Sequence, residues 1–303
     1  SSNLSSISLI SYDTSGTDYM HPLYGAKGKL GTTTWFNNKF LCLKEAGTQV
    51  GGANGGLRTV ILPADSNGDK SGCKNFYAYF HILFYAGLMG QTGEMCINFL
   101  TEDNKLICGV NWYKTDMSGN TGRYELVCYN PNKKDTDHQA GKVLKVYDYT
   151  TSHLHTQNPW YWDWGHCDIR KEGSKLTFFY WGGYPSFTVP EIEDMKCTKI
   201  QIAIKQWGTR SGSRYLTYNG INNFWFQKLR VDKWRDVPNK FARTSRVVAD
   251  CKEASVTMNG LPKPELGALG NDWETFCLKP GVNQVQYLCS SWAKKPTFRM
   301  KYR

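Results

Sequence analysis

Turn signals recur along most of this chain about every ten to fifteen residues, and short apolar runs lie between them. The run NFYAYFHILFYAG (75 to 87) is rich in aromatic residues, which favour strands. Two longer runs, 93 to 114 and 164 to 183, contain internal turns at 102 to 104 and 172 to 174 and predict hairpins. The remaining predicted strands cover 6 to 12, 34 to 46, 57 to 63, 123 to 130, 142 to 149, 196 to 208 and 221 to 231. This spacing predicts an all-β chain with one large antiparallel sandwich over residues 1 to 235.

The composition agrees with many short strands joined by glycine turns. Of the 303 residues, 40% are hydrophobic, 14% are aromatic and 29 are glycine. This length has room for a large β domain and a smaller one. No apolar run approaches the roughly 20 residues of a membrane span, so no membrane partner is expected. The first residues lack the features of a signal peptide, and the missing initial Met suggests a trimmed fragment.

The ten cysteines and the net charge of +11 indicate which kinds of site and partner this chain has. No two cysteines have the C-x-x-C spacing of zinc or redox sites, and several lie in apolar runs such as EMCINFL. We therefore expect reduced core thiols in a protein made in a cytoplasm. Lys and Arg are spread along the chain without a nucleic-acid-binding motif, so no nucleic acid partner is expected. A basic surface of this kind attracts anionic polymers, including those of cell walls.

The stretch NPWYWDWGH (158 to 166) is the densest aromatic segment. Alternation along a strand would bury one set of its rings, and we interpret Trp162 and Trp164 as core residues. Sugars stack on aromatic rings while carboxylates accept their hydroxyl groups. Trp160, Tyr161 and Asp163 follow Pro159 in a predicted loop and are therefore candidate carbohydrate-binding residues, with burial as the open alternative.

Two further loops hold candidate carbohydrate-binding residues. Trp181 and Tyr184 flank a Gly-Gly pair that leaves space for a ligand, although an ordinary exposed turn has the same residues. Arg210 and Arg214 border the loop GTRSGSR and could bind a phosphate of an anionic glycan, although a solvated loop explains them equally.

Catalytic motifs are missing from the sequence, so no enzyme activity and no catalytic residues are predicted. There is no G-x-S-x-G elbow, phosphate loop or H-E-x-x-H helix. The acidic residues at 191, 193 and 194 lie beside Pro190 in a predicted loop, which favours solvent exposure over a glycosidase pair.

No cofactor and no metal site are predicted either. His153, His155 and His166 lack a clear fourth ligand and are interpreted as ordinary polar residues. The segment DSNGD (65 to 69) has the composition of a calcium loop without its acidic twelfth position, so calcium stays an open alternative.

Residues 164 to 191, WGHCDIRKEGSKLTFFYWGGYPSFTVPE, resemble a stretch of jelly-roll domains of the laminin-G or concanavalin kind. The features are Ile169, a turn at Gly173, the aromatic strand 176 to 181 and Phe187. The resemblance implies a jelly-roll sandwich, a fold often used for glycan recognition.

A Pro-Asn junction near residue 238 separates a second segment, 236 to 303. A strand pair at 247 to 249 and 255 to 258 is predicted there, followed by the turn dipeptide Asn259-Gly260. The segment resembles the C-terminal part of distal tail proteins of long-tailed phages that infect Gram-positive bacteria. The residues that carry the resemblance are VADC (248 to 251), LGNDWE (269 to 274), LKPGVN (278 to 283), Trp292 and 296 to 303. The resemblance implies a partial galectin-like sandwich.

Evolved members of that family carry carbohydrate-binding modules inserted into the galectin-like domain. The resemblance therefore implies that residues 1 to 235 are a jelly-roll module that binds host cell-wall polysaccharide during adsorption. It also implies other tail-tip proteins as partners, a hexamer in the full-length protein, and a place in the virion tail tip after synthesis in the host cytoplasm. The family's N-terminal ring-forming domain is not found in this sequence. A purely structural baseplate component and, less favoured, a wall-degrading glycosidase are the alternatives.

Overall fold

The computed structural model describes residues 2–6, 28–47, 53–65, 67–132, 141–161, 165–208, 210–231, 241–242, 244–267, 273, 278–284, 297 and 299–301. The chain divides into two compact units, Ser1–Trp234 and Arg235–Arg303, next to the predicted boundary. No helix in the described part of the chain has the length and apolar character to cross a membrane.

The described residues of the first unit form fourteen strands. They are β1 (Ser2–Ser6), β2 (Lys29–Trp35), β3 (Asn38–Glu45), β4 (Ala53–Ile61), β5 (Phe76–Tyr85), β6 (Gly93–Leu100), β7 (Leu106–Lys114), β8 (Thr121–Tyr129), β9 (Gly141–Thr150), β10 (His166–Glu172), β11 (Lys175–Phe178), β12 (Ser186–Thr188), β13 (Lys199–Trp207) and β14 (Tyr218–Leu229). Short 3-10 turns lie at Pro190–Ile192 and Gly212–Arg214. The all-β prediction is confirmed.

These strands form two antiparallel sheets. The large sheet has the order β12-β11-β10-β5-β14-β3-β2, and β1 also pairs with β14. The small sheet has the order β4-β13-β6-β7-β8-β9. Strand β5 pairs with both β10 and β14, which are far from it in sequence. Such crossed connections are typical of double-sheet sandwiches.

The core lies between the two sheets and is built by alternation along the strands. On β5, Phe76, Phe80 and Phe84 face inward and are fully buried, together with Ile97 and Phe99 of β6. Each buried aromatic side chain stabilises the fold by about 2 to 3 kcal/mol. Ala78 and Ile82 face inward with the β5 phenylalanines. Because neighbouring side chains on a strand point to opposite faces, the odd-numbered β5 side chains from 77 to 85 lie on the outer face of the large sheet.

The predicted hairpin turns at 102 to 104 and 172 to 174 are confirmed. The predicted single strand 34 to 46 is wrong, because the chain reverses between β2 and β3. Phe36 and Asn37 both have positive φ angles, 50° and 63°, as a two-residue hairpin turn requires. The short strand β12 was not predicted, and most of the predicted strand 6 to 12 lies outside the described residues.

Trp160 lies in the core and not in an exposed loop. Its indole is 1% exposed, with ring centroids 4.5 Å from Tyr124 and 4.9 Å from Tyr149. The preceding Asn158 turns the loop inward: its Nδ2 donates to the Phe84 carbonyl at 3.1 Å, and its Oδ1 accepts from the Trp160 amide at 3.0 Å. A buried indole cannot stack on a sugar, so the predicted binding role of Trp160 is corrected to a core role.

The second unit contains the antiparallel strands β15 (Val247–Asp250), β16 (Ser255–Met258) and β17 (Leu261–Pro262), and a 3-10 turn at Pro264–Leu266. The predicted strand pair is confirmed, and Asn259 and Gly260 have the positive φ angles, 54° and 84°, of a tight hairpin turn. The galectin-like assignment of this segment stays a prediction.

We expect Trp160→Ala to lower the free energy of unfolding by about 3 to 5 kcal/mol, because it leaves a cavity between the sheets. Trp181→Ala is the matched control: this indole is 46% exposed at a turn, and its loss should change stability by less than about 1 kcal/mol. Urea unfolding followed by circular dichroism measures both. Equal effects of the two substitutions would contradict the core assignment of Trp160.

Candidate functional site

The outer face of the large sheet gathers aromatic and polar side chains over its three central strands. Tyr79 of β5 lies opposite Asp168 of β10 and opposite Trp225 of β14. His81 of β5 lies opposite His166 of β10. Directly opposed residues of antiparallel strands share a face, so these side chains form one surface.

Five rings follow one another across this surface, and we call them the ring path. Trp225 lies 5.8 Å from Tyr79, Tyr79 stacks 6.0 Å from His166, and His166 lies 3.8 Å from Phe179. Phe179 in turn lies 5.5 Å from Tyr184. Trp225 and Tyr184 are 50% and 60% exposed, so both ends of the ring path present aromatic surface to solvent.

A β-bulge in β14 brings Trp225 onto this face. The strand register shifts between Asn222 and Trp225, and Asn223 has a positive φ of 45°. Asn222 also lies outward, and its Oδ1 is 3.0 Å from Nδ1 of His81. Two residues three positions apart would point to opposite faces of a regular strand, so the bulge is what aligns Asn222 and Trp225.

Among the described outward residues of the three central strands, the acidic ones are Asp168 and Glu172, and Asp168 is the one opposite Tyr79 of the ring path. It is 5% exposed, and within the described ranges no hydrogen bond or ion pair reaches its carboxylate. Burial raises the pKa of Asp168 to about 6. The carboxylate is therefore mostly ionised at neutral pH, at a cost in folding free energy, because a buried charge without donors is poorly solvated.

The negative charge of this carboxylate raises the pKa values of three tyrosines. The negative charge of Asp168 is the main cause that raises the pKa of Tyr184. Burial, followed by the same charge, raises the pKa of Tyr77 to about 12 and also raises the pKa of Tyr79. The three phenols thus remain protonated donors at neutral pH. In the part of the chain that the structure describes, their hydroxyl groups have no hydrogen-bond partner.

His166 adds no positive charge to the surface at neutral pH. Burial, and then the neighbouring His81, lowers its pKa below the usual value. The next outward residue of β10, Arg170, donates from Nε to Glu172 at 2.9 Å, and Glu172 also binds Arg230 at 3.0 Å. In the described part of the chain, the ring path therefore combines stacking surfaces with the Asp168 carboxylate and several neutral donors.

Tyr161 lies on the same outer face, in a second aromatic cluster. Its ring is 5.1 Å from Tyr85, which stacks on Tyr218 at 4.3 Å. Phe40 of this cluster lies 6.4 Å from His81, which connects the cluster to the central surface. Tyr161 is only partly exposed, and its carbohydrate-binding role stays a proposal.

Trp181 and Tyr184 are separated by the turn that joins them. Tyr184 belongs to the ring path, whereas Trp181 has a positive φ of 48° and contacts Tyr180 at 6.1 Å. Tyr180 stacks on Tyr147 of the small sheet at 3.8 Å, on the core side. The structure therefore does not bring Trp181 to the ring path. Asp163 lies outside the described residues.

The two predicted arginines lie at a loop and not on the ring path. Arg210 donates from Nη1 to the Gly90 carbonyl at 3.2 Å and to Thr92 Oγ1 at 2.7 Å. Its guanidinium thus fixes the loop between β5 and β6. Arg214 is exposed, and its carbonyl accepts from the Thr92 amide at 2.9 Å. Phosphate binding by this pair stays a prediction.

Among the described residues, no group of three His, Cys, Asp or Glu side chains could hold a metal ion. In the predicted calcium-like segment, Asp65 Oδ1 accepts from the backbone amides of Asn67 and Asp69 at 2.8 and 3.0 Å. This carboxylate oxygen therefore organises its own loop.

The residues predicted from the sequence did not include Asp168, Tyr77, Tyr79 and Trp225. Period-two alternation in NFYAYFHILFYAG was the available signal, since it places three tyrosines and His81 on one face opposite a phenylalanine face. Asp168, between Cys167 and Ile169 in a predicted strand, was a second signal, because a carboxylate there is unusual. Trp225 had none, since its orientation depends on the bulge.

No family model matches the sequence, and no curated protein matches it significantly. Solved structures do resemble the fold. One is the CBM2 module of the evolved Dit of Lactobacillus casei BL23 phage J-1, with a TM-score of 0.52 and 14% identity over 77% of this chain and 92% of that chain. Identity this low establishes the shared fold alone.

Two other solved structures are less similar. A tetrameric galectin from the ball sponge Cinachyrella has a TM-score of 0.31 and 10% identity, covering 55% of this chain and 96% of that chain. The carbohydrate binding module CBM66 from Bacillus subtilis has a TM-score of 0.29 and 10% identity, covering 66% and 92%.

We expect Asp168→Asn to stabilise the folded protein at neutral pH. A carboxyl group whose pKa is raised by folding takes up a proton more readily in the folded state, so its contribution to stability is lost as pH rises from about 4 to about 6. The neutral amide removes this cost and should raise the free energy of unfolding by about 1 to 3 kcal/mol at pH 7.

Urea unfolding of both proteins between pH 4 and pH 8 measures the difference, which should shrink toward the acid end. Asp148→Asn is the control, since Asp148 is exposed and pairs with Arg123 at 3.2 Å. Its substitution should lower stability by less than about 1 kcal/mol. Parallel pH profiles for the parent and Asp168→Asn would show that Asp168 is not a buried charge.

Proposed function

We propose that this chain is a saccharide-binding β-sandwich module whose binding surface is the ring path around Asp168. The observation that carries this proposal is the row of five rings that crosses the outer face beside the Asp168 carboxylate, to which no described residue donates a hydrogen bond. Sugar rings stack on aromatic faces, and their hydroxyl groups pair with carboxylates and phenols. The exposed rings of Trp225 and Tyr184 suit stacking, and Asp168, which is 5% exposed, offers an oxygen acceptor to a ligand hydroxyl group that reaches into the surface beside Tyr79.

Within this proposal, the module belongs to a phage tail tip. It attaches the virion to host cell-wall polysaccharide and catalyses no reaction. The resemblance of residues 236 to 303 to distal tail proteins supports this assignment, and so does the fold shared with the phage J-1 module. Tail-tip partners, a hexamer in the full-length protein and synthesis in the host cytoplasm belong to the same proposal. Several copies around one tail would multiply a weak interaction at each site, since linked sites gain avidity without new contacts.

The alternative is a structural baseplate component that uses the same exposed rings to contact other tail proteins. Exposed aromatic patches also mark protein interfaces, so the ring path by itself suits both functions. The polar groups favour saccharide binding over the structural function, because a protein interface buries few unpaired carboxylates. A glycosidase is the third candidate, and release of reducing sugars from cell walls would identify it.

We expect Trp225→Ala to weaken binding of the full chain to purified Gram-positive wall polysaccharide by about tenfold, because one stacking surface is lost. Trp181→Ala is the matched control, since it removes an equally exposed indole outside the ring path, and it should change affinity less than about twofold. Isothermal titration calorimetry measures both. Trp225 is exposed, so its substitution should leave the unfolding curve unchanged.

The reverse result, with binding lost in Trp181→Ala and kept in Trp225→Ala, would move the site to the turn after β11. Failure of the parent chain to bind polysaccharide, combined with binding to other tail-tip proteins, would favour the structural function.

A further inference from the structure

We propose that the ring path takes an uncharged oligosaccharide and discriminates against the anionic, phosphate-bearing polymers of the same cell wall. The discriminating group is the Asp168 carboxylate at the centre of the face. This inference rests on the proposed function and names its ligand class.

The position of Asp168 places its carboxylate beside a ligand bound on the ring path. It lies opposite Tyr79 in the strand register, and the ring path continues past it on both sides. A ligand that stacks on Tyr79 and Tyr184 must therefore pass over the carboxylate. Hydroxyl groups of an uncharged sugar would donate to this oxygen acceptor and supply hydrogen bonds that no described residue gives it.

The charges that face the site disfavour an anionic ligand. His81 and the tyrosines project from β5, His166 and Arg170 project from β10, and Tyr184 follows β11. Arg170 donates from Nε and Arg230 from Nη2 to the half-buried Glu172, at 2.9 and 3.0 Å, so these two donors bind a different carboxylate from Asp168. A phosphate group on the ring path would meet the carboxylate, and no described cation on the path offers it a charge-assisted hydrogen bond.

The length of the ring path favours an oligosaccharide over a single sugar. From β14 over β5 and β10 to the segment after β11 it crosses three strand spacings, or about 14 Å. This is longer than one sugar ring, so the surface suits an oligosaccharide laid across the strands. The net charge of +11 acts differently, since it attracts anionic polymers weakly over the whole surface and its effect is screened by salt.

The test uses one Gram-positive wall polysaccharide in two forms, intact and after hydrofluoric acid has removed its phosphodiesters. Titration calorimetry of the full chain is carried out with both forms at low and high salt. We expect the dephosphorylated, uncharged form to bind with an affinity that salt changes less than about twofold. Any additional attraction of the intact form should disappear at high salt.

Asp168→Asn should weaken binding of the uncharged form by about tenfold, because a charge-assisted acceptor becomes a neutral amide. The same substitution should leave binding of the phosphate-bearing form unchanged or stronger. For the parent, affinity for the uncharged form should rise with pH through about 6, the range in which Asp168 ionises, and this rise should be missing in Asp168→Asn. Because that variant is expected to be the more stable protein, unfolding cannot explain its loss of affinity.

Three results would overturn the inference: binding that requires the phosphodiesters, binding that high salt abolishes, or parent-like affinity of Asp168→Asn for the uncharged form. If Trp225→Ala loses binding while Asp168→Asn keeps it, the saccharide-binding function stands and the ligand class is wrong. If the parent binds neither form, both proposals fail.

Discussion

The structure depends on the alternation of side chains along β5. Its inward residues Phe76, Phe80 and Phe84 are fully buried between the sheets, while Tyr77 and Tyr79 lie on the outer face beside Asp168. Because β5 is paired on both sides, with β10 and β14, its register cannot change without breaking two ladders. A slip of one residue would exchange the two faces and expose the core while burying the ring path. One strand therefore holds the core and the candidate site in a single arrangement.

In the candidate site, the ionised Asp168 that the proposed binding function needs also lowers the stability of the fold. Burial raises the pKa of this carboxyl group, so the ionised form is less favourable in the folded protein than in water. The surrounding sandwich tolerates this cost because its aromatic core is extensive. A carboxylate to which no described residue donates can accept hydroxyl groups from a ligand, and a few polar groups of this kind fix the orientation of a ligand in a mostly apolar site. Burial and the charge of Asp168 raise the pKa values of Tyr77, Tyr79 and Tyr184, so these phenols remain protonated.

Aromatic residues show where sequence analysis of this chain succeeds and where it does not. The all-β class and the hairpins at 102 to 104 and 172 to 174 follow from local turn chemistry and alternation, which are properties of neighbouring residues. The assignment of individual rings is different, since an indole is equally suited to a core and to a sugar. Trp160 entered the core because Asn158 turned its loop inward, and Trp225 reached the surface because of a bulge. Asn158 and Asn223 lie two positions before these tryptophans, but an asparagine does not by itself predict an inward loop or a bulge.

The sequence by itself determined that this chain forms antiparallel strands, because its period-two patterns and turn residues act over a few positions. It also contained the residues of the resemblance in 236 to 303. Only the tertiary structure decided which strands become neighbours, and hence that Tyr79, Asp168 and Trp225 share one face. These residues come from strands separated by long stretches of chain, and their meeting depends on burying the inner faces of both sheets together. A long-range packing requirement of this kind has no signature in any local run of sequence.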